Sequence, residues 1–470
     1  MTALTEFKRW RHVRSSWLEE GGRRLDCNPY MSGALEARDA LRSLAARKEP
    51  LRTLTQGHAG GIYNGPMFAR IWVEDPKYGV PFLGNSDMLK ADLSALPLLK
   101  SSYAESRHLA HLKLEEGTTL ITCSGTIGRM CYVRPDMAGM WSSQHIMKVV
   151  PDGAVIPPGY LYAFLSSRYG VPLVVSGTYG AIIQHIEPEH IATLDVPRFD
   201  IAFELKVHSK IKCAAKLRET AAINLQEVSA QFDQLFPDLI LDATAKLEVS
   251  SIPASEVQAR LDAQFHNPLA VIIREILGNA AHTAMSDYCD EIFLPGIFKR
   301  IHVEGPEFAA PYYTGSSLFW NEPEPKGYLS RVTKLFEQVR LKQGMILVQA
   351  FGQEGGLTGR PVWVGKYLDD ATTTHMLVRL VVKEQEKAAY LFGFLNSKLA
   401  YKQISCLTFG GSIPHFDEAA MKTVLVPRLG ADREQAIAVK VLEVVSARDE
   451  ALRLEREARK DVETLISGVK

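Results

Sequence analysis

The sequence has no C-x-x-C pair; its cysteines, at 27, 123, 131, 213, 289 and 406, are scattered. That spacing excludes a zinc knuckle, offers no disulfide framework and points to a reducing cytoplasm. No run of about 18 apolar residues is present, so no stretch suits a bilayer. The opening MTALTEFKRWRHVRSSW lacks the apolar stretch of a secretory signal. Net charge is missing too, with 54 Lys and Arg against 54 Asp and Glu. No basic field announces a polyanion partner, so a nucleic acid would have to be met by a local patch or with another subunit's help. Walker, nuclease and G-x-S-x-G signatures are absent as well. What remains is ordinary globular composition: 470 residues, 46% apolar and 23% charged. At about 100–200 residues per domain, that is material for roughly two to four domains.

The chain is written twice. FARIWVEDPKYGVP at 68–81 returns as FKRIHVEGPEFAAP at 298–311, an offset of 230. YLYAFLSS at 160–167 returns as YLFGFLNS at 390–397, and Val196-Pro197-Arg198 as Val426-Pro427-Arg428. Gly180, Ile183 and His185 answer to Gly410, Ile413 and His415, and Arg24-Leu25-Asp26 to Arg260-Leu261-Asp262. A period this long is a duplicated domain, not a solenoid unit. In each copy, β-rich runs (TLITCSG and HIMKVVP; MILVQAFG and HMLVRLVV) lie between turn residues. One amphipathic helix is expected over YLYAFLSSRYG and its counterpart AAYLFGFLNSKLAYKQI, and a last strand over each V-P-R. Asn28-Pro29 and Asn267-Pro268 read as helix starts with proline near the first helical position.

Each copy ends in a stretch free of Pro and Gly, 203–236 and 433–466. Apolar residues recur there at nearly heptad spacing, through Ile211, Ala221, Leu225, Val228 and Phe232, and through Val441, Val444, Ala451, Leu454, Val462 and Leu465. Two helices of about 50 Å follow at 1.5 Å per residue. Neither seam tolerates water; mutual burial as an antiparallel coiled coil is the simplest outcome, and folding back onto each copy's own head is the alternative. The expected fold is therefore α+β: two similar mixed α/β domains, separated by two long antiparallel helices, with internal pseudo-two-fold symmetry. The boundaries are 1–200 for the first domain, 201–236 for the first long helix, 237–430 for the second domain and 431–470 for the second helix.

ITCSGTIGR at 121–129 sets a cysteine and a serine on a glycine-rich turn. The second copy is an internal control: it reads LVQAFGQEGGLTGR, with Ala350 and Phe351 where Cys123 and Ser124 stand. A hydrolase using Cys123 or Ser124 is thus the weaker alternative. Arg129 and Arg360 follow the turns, where an arginine reaches phosphate or a guanine edge. His145 matches His375 at the common offset, and His185 matches His415. Glu187 and Asp417 each stand two residues beyond the latter histidines, on the same side if strand continues. One His with one carboxylate is a poor metal site, and no metal is expected. Loops rich in polar and aromatic side chains add Asn85, Ser86, Gln144, Thr178, Tyr179 and Gln184 in the first copy. Thr314, Ser316, Gln353 and Ser412 are their second-copy counterparts in kind. Such side chains suit base edges and phosphates.

The order R-L-D, G-T-I-G-R turn, Y-L-x-x-F-L-x-S helix, G-x-x-x-I segment, V-P end and long helix, given twice, resembles the DNA-specificity subunit of type I restriction-modification enzymes. The resemblance covers nearly the whole chain. It implies two target-recognition domains, each reading one half of a split sequence in double-stranded DNA, with the helices setting the gap. It also implies a non-catalytic subunit in the cytoplasm. Two methyltransferase subunits would dock on it, and restriction–translocase subunits would join. The chain itself would carry no cofactor; S-adenosylmethionine, and ATP with Mg for restriction, would belong to those partners. The specificity arm of another methylase-based phage-defence system is the nearer alternative.

Overall fold

The computed structural model describes residues 15–20, 30, 32–177, 185–237, 239, 251–255, 257, 260–353 and 355–468. Arg24, Leu25, Asp26, Asn28, Thr178, Tyr179, Gly180, Ile183 and Gln184 lie outside them. Two compact units emerge: Met1–Glu219 with Glu450–Lys470, and Thr220–Asp449.

In unit one, an antiparallel sheet runs in the order Ile62–Tyr63, Ile146–Val149, Thr119–Thr122, Met130–Tyr132. A second sheet runs Trp72–Val73, Leu98–Lys100, Gly79–Leu83, Trp141–Ser142, the last pair parallel. Arg47–Pro50 and Asp195–Arg198 form a two-stranded ribbon. Unit two repeats the plan. One sheet is Glu291–Phe293, Leu377–Val381, Ile346–Gln349, Pro361–Trp363. The other is His302–Val303, Gly327–Ser330, Ala309–Tyr313, Thr372–Thr373, again with a parallel last pair. His282–Ala284 pairs with Leu425–Pro427.

The repeated motifs have local structural work. Tyr160 donates its hydroxyl to the Pro197 carbonyl, and Tyr390 does the same to Pro427 at 2.5 Å. Arg198 grips Glu204 in a bidentate pair at 2.9 Å, and Arg428 grips Glu434 at 2.8 and 2.7 Å. Each V-P-R thus ties a last strand to the first turn of the long helix behind it. Asn267 caps the helix Pro268–Asn279, accepting from Leu269 and Ala270.

The helix expected over YLYAFLSSRYG is two helices, Pro158–Leu165 and Gly170–Ser176, and its counterpart is Gln385–Leu395 and Lys398–Ser405. A serine makes each break. Ser167 Oγ donates to the Phe164 carbonyl and accepts from the Gly170 amide; Ser397 donates to Phe394 and accepts from Ala400. Serine competes with the helix backbone in this way, ending one helix and capping the next.

The long helices are Ile201–Asp233 and Ala431–Ser467. Within unit one, Lys210 meets Asp461 at 2.9 Å and Arg218 meets Glu455 at 2.7 Å, so one number rises as the other falls: the segments are antiparallel. Within unit two, Lys440 pairs with Glu227. Ile211, Ala221, Leu225, Val228, Phe232, Val441, Val444, Ala451 and Val462 are all buried, inside the chain's own cores. Ala458 is buried as its place in the seam predicts, but Leu454 is only half-buried and Leu465 is exposed; Glu455 and Ile466 take the inner positions. A helix of 3.6 residues per turn drifts away from a strict heptad, which shifts the seam by one residue there.

Candidate nucleic-acid interface

In each unit the turn after the central strand is pinned in the same way. Gly128 donates to the Thr122 carbonyl, and Thr122 to Arg129; in unit two Gly359 donates to Gln349, and Gln349 to Arg360. Gly128 and Gly359 share φ of 82°, a left-handed bend that favours glycine. Beyond the turn, Ser124 bridges to His185 and Phe351 to His415. These contacts bring together the strand end, the turn and the segment after the second helix. His145 joins them, its carbonyl accepting from the Cys123 amide at 3.1 Å, and so does Asn85, donating to the Ser124 carbonyl at 3.2 Å. Ser86 is exposed at the tip of the same loop.

In unit two the gathering is aromatic. Phe351 stacks on His415, centroids 4.8 Å apart and 4° from parallel, while His375 meets Phe351 edge-on at 5.9 Å. Phe409 lies 4.5 Å from His415. Gln353 donates to the Ser412 carbonyl at 3.1 Å, and Arg360 lies 4.2 Å over Tyr401. Thr314 and Ser316 sit together on the facing loop, hydroxyls 3.4 Å apart. Arg260 of the second R-L-D grips Asp262 and donates to the carbonyls of Leu407 and Thr408, so this motif anchors the Phe409 loop.

Two sequence pairings need correction. His375 is the counterpart of Gln144, not of His145. The amide of Cys123 reaches His145, and that of its equivalent, Ala350, reaches Met376; Lys148 sits opposite Leu120 as Arg379 sits opposite Leu347. The offset of 230 fails here because the second copy is shorter before this strand and longer in the turn. Glu187 and Asp417 are not strand neighbours of the histidines either. Each caps a short helix, Pro188–Ala192 or Glu418–Lys422.

Sequence inspection passed over two further pairs. Arg70 lies 5.5 Å over Phe82; its counterpart Arg300 lies 5.6 Å over Tyr312 and donates to its hydroxyl at 2.6 Å. Both are exposed; burial, with the charge of Arg70 or Arg300 added to it, holds His145 and His375 below the usual histidine pKa. The F-x-R-I repeat itself was the signal. The second pair is buried: Lys148 donates to the carbonyls of Ser143 and Ile146, and Arg379 to those of Thr374 and Leu377. A cation at matched positions in two apolar strands, IMKV and LVRLV, could have revealed it. Burial pulls Lys148 down to about 7 and Arg379 to about 9. A guanidinium at that value stays charged at neutral pH, whereas Lys148 straddles it.

A pH response follows for unit one. His111 stacks on His58 at 4.1 Å, and burial with the charges of His58 and Lys148 lowers it to about 4. For both groups the unfolded chain binds its proton more tightly, so stability rises with pH in each window. Hydrogen exchange of Thr119–Thr122 should slow from about pH 4 to 6.5 through His111 and again from about pH 7 to 10 through Lys148, after correction for intrinsic exchange. Lys148→Met should remove the upper rise and keep the lower one, narrowed at its acid end because the Lys148 charge no longer lowers His111.

Cys123 is buried, and desolvation pushes its thiol up to about 11, with Lys148 only partly opposing. It is therefore a protonated thiol at neutral pH, a poor nucleophile. Among the described residues no three His, Cys, Asp or Glu side chains gather to hold a metal ion, and no helix is long and apolar enough to cross a membrane.

No family model matches the sequence, and no curated protein matches it. Solved structures do. The chain is similar to S subunits of type I restriction-modification systems. The S subunit from M. genitalium is 12% identical, over 90% of this chain and 96% of that one, with a TM-score of 0.35. HsdS from Thermoanaerobacter tengcongensis is 11% identical over 90% and 96%, with a TM-score of 0.29. A chain from a structure of type I R-M complex assembly and conformational transition is 12% identical over 90% and 97%, with a TM-score of 0.26. Identity and TM-score are low throughout, so function is drawn from the repeat and the two sites.

Proposed function

We propose that the chain is a sequence-specific DNA-binding subunit that reads a bipartite duplex target, one half per unit. The observation that carries this is a common frame with different side chains at matched surface positions. Strand order, turn closure and the arginine on an aromatic are the same in both units. Yet where unit one has Ser124, Gln144 and His145, unit two has Phe351, His375 and Met376. A shared frame supplies common positioning, and varied side chains at its rim supply different base contacts. Arg70 and Arg300 would serve phosphates locally in a chain with no net charge.

Catalysis is assigned to partners: two methyltransferase subunits carrying S-adenosylmethionine, with restriction–translocase subunits using ATP and Mg. The long helices set the spacing between half-sites. The test is a map of methylated motifs in a host expressing this chain with its neighbouring methyltransferase. A two-part motif is expected. Replacing residues 60–198 with the corresponding segment of another such subunit should change one half and keep the other. Change in both halves, or in neither, would overturn two independent readers.

A further inference from the structure

Ser124 and Phe351 are counterparts, each bridging to the histidine of the segment after the second helix. Each backbone carbonyl accepts from a primary amide: Asn85 Nδ2 reaches Ser124 at 3.2 Å, and Gln349 Nε2 reaches Phe351 at 2.8 Å. A carbonyl only accepts, so the partner must be the amide nitrogen, and the amide oxygen is turned away. In both units that oxygen, Asn85 Oδ1 or Gln349 Oε1, is buried and has no hydrogen-bond partner.

The two amides do not come from matching positions. Asn85 lies on the loop after Gly79–Leu83, whereas Gln349 ends the central strand Ile346–Gln349. The counterpart of Asn85 is Gly315, and a Cβ built there would stand 2.8 Å from Gln349 Oε1. The counterpart of Gln349 is Thr122, a short side chain that leaves the space to Asn85 and accepts from the Arg129 amide at 3.0 Å. One amide therefore occupies one place in each unit by two different routes. A buried acceptor left unpaired costs about 1–3 kcal/mol; both oxygens are shut from solvent in the free protein, so the donor that an arrangement reached twice calls for enters only as the loops of Asn85 and Gly315 give way.

We propose that Asn85 and Gln349 are the equivalent specificity-determining amides of the two units, each reserving an acceptor for an amino group of adenine or cytosine in its half-site. This rests on the DNA reading above. Only those two bases present such a donor in the major groove. The bond to the turn holds the amide's orientation, so the site discriminates by which atom it offers.

The experiment is the methylated-motif map with full-length variants, each checked for its thermal midpoint. Asn85→Leu and Gln349→Met remove the amide at similar volume. Each should keep a midpoint near wild type while blurring one position in its own half only, with methylation of mismatched sites rising roughly tenfold or more. Gly315→Asn alone should blur the second half by crowding Gln349; Gly315→Asn with Gln349→Thr rebuilds the unit-one arrangement and should restore a defined second half. A wild-type map without a two-part motif would defeat the DNA reading itself. A normal wild-type motif that both single variants leave unchanged, or a double swap no better than Gln349→Met, would overturn the amide assignment.

Discussion

Glu455→Leu is expected to destabilise unit one by about 3–5 kcal/mol, the usual cost of leaving a buried charge without its partner. Arg218 sits inside the helix pair and holds Glu455 through Nε at 3.1 Å and Nη2 at 2.7 Å, with their side chains only 4% and 11% exposed. With the carboxylate gone, a buried guanidinium loses its bidentate partner. The double variant Arg218→Leu with Glu455→Leu should recover most of the loss, since well-packed apolar replacements of buried pairs are often neutral or stabilising. Denaturant midpoints of the four chains complete the cycle. A Glu455→Leu chain within about 1 kcal/mol of wild type would mean that water reaches Arg218.

Phe232→Ala should cost about 3–5 kcal/mol, as truncations of fully buried phenylalanines do. Phe232 is wholly buried near the end of the first long helix, its ring edge-on to Tyr390 at 5.4 Å and Phe394 at 5.5 Å. It belongs to the core that also holds Val228, Val441 and Val444. Hydrogen exchange over Gln385–Leu395 should rise steeply, while Pro158–Leu165 in unit one stays protected. Equal loss in both segments would show that the units melt as one.

Most of the fold is legible in the sequence. The repeat predicted two units of one plan, and the heptad-like spacing located the residues that the long helices bury. The reason is that burial acts on sequence directly: a position facing the core must be apolar wherever it recurs, as Val228 and Val441 are. What stayed hidden depends on single hydrogen bonds. Ser167 and Ser397 break helices through their own hydroxyls, and nothing in the apolar pattern around them changes. Identity pairs His375 with His145, but two compensating length differences move the register by one residue. The amides at 85 and 349 share a place in space and none in sequence, so no offset could connect them. The sites were therefore legible as neighbourhoods, through turns and repeated histidines, and not as pairs of equivalent atoms.

Unit one is discontinuous in sequence: its core takes Ala458, Val462 and Ile466 from the far end of the chain, beside Tyr160, Phe164 and Val207. Unit two is one uninterrupted stretch. During synthesis unit one is thus completed only after unit two has been made, and the apolar stripe of residues 201–219 lacks its partner segment until residues 450–470 follow. Exposed stripes of that kind draw chaperones and invite aggregation. A nascent chain stalled near residue 430 should present unit one as the protease-sensitive half, although every residue of its sheets has long since left the ribosome.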